Sequence, residues 1–166
     1  MILYLLVAII SGSSLLLLNN PADELIDFLP DEFEGLQTDA PLIEYADENP
    51  DYVMRVTQIY YDIHGSKLQF EWTNHNANPD HFRQEMEQLP SVEPPDFLPD
   101  LLTKHPIGKN TDGEFQRLGF YFEDLNVVFT VNAIADTRKD RQELLRRGFR
   151  KLDVEKLSDW SGFDSE

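Results

Sequence analysis

Apolar residues fill nearly every position from Ile2 to Leu18, and no charge interrupts them. A helix over those 17 residues would be roughly 25 Å long at ~1.5 Å per residue, the short edge of what crosses a hydrocarbon core ~30 Å thick. The pattern predicts a membrane anchor over residues 1–20, with Ser11 to Ser14 supplying the small side chains that helix contacts in lipid favour. A cleaved signal peptide is the first competitor. It wants a basic start and small residues before the cut, whereas the first base is Arg55, and a cut after Ala22 puts Asn20 where a small residue belongs. A buried core element, turned by Ser-Gly-Ser-Ser, is the third option.

After Pro21 the pattern breaks up. Residues 21–50 read as an acidic extended tether that lies over the body or along a partner, with a short helix over Ala22 to Phe28. Asp27-Phe28-Leu29-Pro30-Asp31-Glu32-Phe33 has a near copy in Asp96-Phe97-Leu98-Pro99-Asp100-Leu101-Leu102. Proline followed by carboxylates suits the first turn of a helix. The same pair also reads as a twice-used docking motif, with Phe28, Leu29, Phe33, Phe97 and Leu98 as partner-binding anchors.

The folded body is expected over 51–160. Tyr52 to Ile63 is β-branched and aromatic, Gly65-Ser66 interrupts it, and Leu68-Gln69-Phe70-Glu71-Trp72 alternates with period two, which predicts a β-hairpin around Gly65. Asn78 as N-cap opens a helix with Phe82, Met86 and Leu89 on one face, ended by Pro90. Leu118 to Phe122 and Val127 to Ile134 read as two more strands, turning at residues 123–126. Thr137 and Asp140 form a capping pair for a helix from Arg138 to Arg147. Gly148 is expected as the left-handed residue after it, with Phe149 folding back on Leu144.

Leu152 to Trp160 predicts a terminal helix, and 161–166 a loose acidic tail. The fold class that follows is α+β: a four-stranded antiparallel sheet whose one apolar face is covered by two helices. The order hairpin, helix, loop, hairpin, helix suggests a duplicated ββα unit.

Charge then narrows the partners. The 166 residues hold 14 bases and 31 acids, a net of −17. Residues 1–54 carry eleven acids and no base, while residues 138–157 carry eight bases against four acids. Such acidity argues against nucleic acid, which rewards positive charge. The basic cluster Arg138, Lys139, Arg141, Arg146, Arg147, Arg150 and Lys151 is the second candidate partner site, for an acidic surface, a phosphate or lipid near the anchor. Its competing readings are cations at a helix C-terminus and pairing with the chain's own acidic tether.

Candidate chemistry changes little. With no cysteine, disulfides and thiolate chemistry are excluded and the compartment stays open. His75 and His81 flank an Asn/Asp-rich loop but match no ligand spacing, and His81 stands where a calcium loop needs glycine. No nucleophile elbow, dinucleotide or phosphate loop is present. No catalytic residue, metal or cofactor is therefore expected. The reading is a non-catalytic accessory subunit or assembly factor of a larger membrane protein complex. It would be single-pass, held by residues 2–18, with its body on the non-cytoplasmic side and other protein subunits as partners. The alternative is a secreted or periplasmic ligand-binding domain after signal removal.

Overall fold

The computed structural model describes residues 21–47, 49–87, 92–112 and 115–160. Among them are seven strands and four α-helices: α1 (Pro21–Ile26), β1 (Gln37–Thr38), β2 (Leu42–Ala46), β3 (Asn49–Tyr61), β4 (Lys67–Asn74), α2 (Pro79–Glu87), β5 (Ile107–Asp112), β6 (Phe115–Phe122), β7 (Val127–Ile134), α3 (Arg138–Lys151) and α4 (Val154–Asp159). None of these helices is long and apolar enough to cross a membrane. The expected anchor over Ile2 to Leu18, the helix position Leu89 and the tail 161–166 all lie outside the described residues.

The strands form one antiparallel sheet in the order β1-β3-β4-β7-β6-β5, with β2 also paired to β3. The four expected strands are its centre, and β1, β2 and β5 widen it to seven. Gly65, at φ +92°, turns β3 into β4, and the Asp62 carboxylate accepts the backbone N–H of His64 at 2.8 Å and of Ser66 at 3.0 Å. Asn126, at φ 49°, turns the chain into β7. Asn and Gly tolerate this left-handed region best.

Alternation sorts the sheet into two faces. Leu68, Phe70 and Trp72 of β4, Phe129, Val131 and Ala133 of β7, and Leu118 and Phe120 of β6 all point one way and are fully buried. Helix α3 lies on them. Its Thr137 cap is as expected, the hydroxyl accepting the Asp140 N–H at 3.1 Å. Its end is not. The helix runs through Gly148 to Lys151, because Gly148 is where helix and sheet touch: a Cβ there would come within 3.0 Å of Leu68 Cδ2 and 3.2 Å of Phe70 Cζ. That glycine serves close approach, not a left-handed cap.

The acidic segment 21–47 lies on the body. β1 and β2 pair with successive stretches of β3, and α1 with the chain after it closes the core. No helix follows Pro30. Gly35 at φ +78° turns the chain so that Phe33 meets Tyr60 edge-on at 4.6 Å, and burying that ring outweighs a helix start. After Pro99 the expected start does appear, as one short 3-10 turn over Leu102–Lys104.

The second hairpin-and-helix unit departs from the first. Phe82 of α2 contacts Tyr121 at 5.9 Å and His75 at 5.5 Å, and Tyr121 points opposite to Phe120 and Phe122. So α2 and α3 lie on opposite faces of the sheet, not together over one. A rotation pairing β4 with β7 would keep both helices on one side, so the arrangement is not a symmetric repeat.

Candidate functional site

The face away from α3 is polar, and among the described residues only α2 covers it, at one end. Registers across the sheet place Leu42, Thr57, Glu71, Thr130, Gly119 and Gly108 in one row. From Glu71 the side chains shrink towards β5, where two glycines stand opposite each other. The result is a hollow of about 530 Å³ between the β5 edge and α2, flanked by Arg55, Lys109, Arg117, Tyr121 and Glu85.

Charge inside it is partly matched. Arg117 Nη2 lies 3.6 Å from Glu71, with the Arg117 side chain 47% and Glu71 15% exposed, and Nη2 also donates to Thr130 Oγ1 at 3.4 Å. Both contacts use Nη2, so Nη1 and Nε of Arg117 have no protein partner among the described residues. Arg55 Nη1 donates to Glu44 at 3.3 Å, while its Nε is buried without a partner. Burial pushes His75 below its ordinary imidazole value, with the Glu85 charge opposing. It pushes the Tyr121 phenol up, with Glu85 adding to the shift. Near neutral pH both wall groups therefore act as uncharged hydrogen-bonding groups.

The basic cluster divides into buried, paired and free cations. Arg141 is buried, and its Nη1 donates to the Ala135 carbonyl at 2.7 Å, closing the turn before α3. Arg146 stands 5.4 Å over the Phe97 ring and 3.2 Å from Glu143. Arg147 donates to the Glu34 carbonyl. Arg138, Lys139, Arg150 and Lys151 are exposed and make no ion pair or side-chain hydrogen bond among the described residues. Lys139, Arg146 and Arg150, at i, i+7 and i+11, fall along one outward stripe of α3.

The aromatic and aliphatic candidates sit mostly inside. Phe28, Leu29, Phe33 and Leu98 are buried in the chain's own core. Phe28 meets Trp160 at 6.3 Å and its carbonyl accepts the Asp153 N–H at 2.9 Å. Phe97 is half-buried, 5.9 Å from Phe149. The structure thus brings the two copied motifs to the helical side of the sheet and the hollow to the other.

Nothing in the sequence reading singled out the hollow, since Arg55, Glu71, Arg117 and Gly119 come from three strands. Its one local signal was Gly119, a glycine inside a strand with no turn to explain it. His81 binds Glu85 at 3.1 Å, and among the described residues no group of three or more His, Asp and Glu could hold a metal ion. Compared with protein-family models, with curated proteins and with solved structures, the chain finds no match.

Proposed function

We propose that this chain is a non-catalytic accessory subunit or assembly factor of a membrane complex. Ile2 to Leu18 anchors it, the α+β body lies on the non-cytoplasmic side, and the outer face of α3 docks on an acidic patch of a neighbouring subunit. One observation carries the docking part. In a chain of 31 acids and 14 bases, Arg138, Lys139, Arg150 and Lys151 have no acidic partner among the described residues. Cations kept free in so acidic a molecule complement a negative surface elsewhere. The buried Phe28, Leu29, Phe33 and Leu98 are committed to the core, so the docking surface consists of the cations.

The test uses the full chain, tagged at its C-terminus and extracted in mild detergent. A stoichiometric partner is expected, and reversing Lys139, Arg150 and Lys151 to Glu should weaken its retention by about tenfold or more, as close charge pairs at interfaces do. The circular dichroism of the variant should be unchanged. A full chain that is monodisperse without detergent, or a partner indifferent to the reversal, overturns the reading.

The hollow on the far face favours a second reading, a secreted or periplasmic ligand-binding domain with its apolar start removed. The intact mass of the native protein separates the two, because loss of the first ~20 residues marks signal cleavage.

A further inference from the structure

We propose that the hollow between β5, β6 and α2 binds a small organic monocarboxylate, held through its carboxylate by Arg117. The inference deepens the ligand-binding reading and is independent of docking through α3, which lies on the opposite face of the sheet.

Three features point to it. The first is the floor. A Cβ on Gly119 would meet only ordinary neighbours, Tyr121 Cε2 at 3.7 Å, Val128 Cγ1 at 3.8 Å and Thr130 Oγ1 at 3.9 Å. Its φ is not in the left-handed region either. Neither folding nor packing requires glycine here, and glycine weakens a strand interior. What the missing side chain does provide, with Gly108 opposite, is space against the backbone for a carbon skeleton.

The second feature is charge. Arg55 and Arg117 line the hollow against Glu71 and Glu85, an even balance within a chain of −17, and Lys109 borders it at the β5 edge with its side chain on the face of Leu118. Arg117 keeps Nη2 on Glu71 and Thr130 and leaves Nη1 and Nε, each able to donate one charge-assisted hydrogen bond to a carboxylate. A phosphate offers the same guanidinium a second negative charge, but that charge must be brought against the field of the whole acidic molecule. A monocarboxylate avoids this cost.

The third feature is the wall. Tyr121 and Val128 present ring and methyl surface beside the floor, and the neutral His75 adds a hydrogen-bonding group at the α2 end. Volumes of this size suit small-molecule ligands.

The experiment follows backbone amide resonances of the full chain in nonionic detergent. Sodium acetate, sodium lactate, inorganic phosphate and sodium chloride are titrated at matched ionic strength. Saturable shifts at Gly108, Gly119 and Tyr121 are expected with acetate or lactate, not with chloride. Arg117→Gln should weaken them at least about tenfold, the usual loss for a charged hydrogen bond. Gly119→Val should abolish them while holding or raising the melting temperature, and the α3 variant Lys151→Glu should leave them unchanged. No saturable shift at ~10 mM, where a site with a Kd of ~1 mM is ~90% filled, overturns the proposal. So does binding indifferent to Arg117→Gln, or tighter binding of phosphate than of either carboxylate. Should Gly119→Val fail to fold, Arg117→Gln decides, because that side chain is half exposed and carries no core packing.

Discussion

At the scale of single residues, Tyr60 shows how burial sets both packing and chemistry. Its ring is 2% exposed, Phe33 meets it edge-on, and its hydroxyl donates to the Pro30 carbonyl at 2.7 Å. Burial, with a smaller contribution from the Asp31 charge, pushes its phenol up to about 12 from an ordinary 10. The unfolded chain therefore loses this proton first as pH rises. The stability that this shift contributes is fully present below pH 10, declines between about 10 and 12, and totals on the order of 3 kcal/mol. Urea midpoints measured from pH 9 to 12 should fall along that window, and Tyr60→Phe should flatten the fall over it. An unchanged slope in the variant would assign the loss to other groups. Tyr60 was legible in the sequence as a strand aromatic, but its partner Phe33 was not, because a contact across 27 positions leaves no trace in local periodicity.

Elements were legible where one period ran undisturbed. β4 alternates cleanly and is a strand with a buried even-numbered face. The Thr137 box begins α3 where it should. Misreadings fall where a tertiary contact outweighs a local preference: Gly148 continues its helix because Leu68 and Phe70 lie against it, and Pro30 starts none because Phe33 is drawn into the core. The acidic segment makes the same point on a larger scale. Read alone it has too few apolar residues to fold, yet β3 offers it an unpaired edge and the core offers it a place for Phe28, Leu29 and Phe33. Phe33→Ala should cost about 3–5 kcal/mol in urea unfolding, the range for a buried aromatic. A loss under about 1 kcal/mol would mean that the segment merely rests on the surface.

For the whole molecule, net charge and face polarity matter most. Eleven acids with no base occupy residues 1–54, and the structure folds the described part of that stretch against an already acidic body. Self-repulsion then works against the compact state. Raising sodium chloride from about 0.05 to about 0.5 M shortens the screening length from roughly 14 to roughly 4 Å. The melting temperature should rise by about 4 °C over that range, as expected for a gain of about 1–2 kcal/mol in a chain of this size. A fall would show that attractive pairs such as Arg55 with Glu44 dominate instead.

Composition and periodicity alone determined the α+β class, the two central hairpins, the positions of α2 and α3, and the contrast between an acidic start and a basic α3. Each of these is a property of neighbours within one turn or one hairpin, where side-chain direction follows from backbone period. Tertiary structure decided which way each helix went. It placed α2 and α3 on opposite faces, split the basic cluster into buried, paired and free cations, and set two glycines from different strands side by side to open a hollow. Those outcomes depend on register between segments far apart in the chain, and register is an energy of packing between surfaces that exist only once the strands have met.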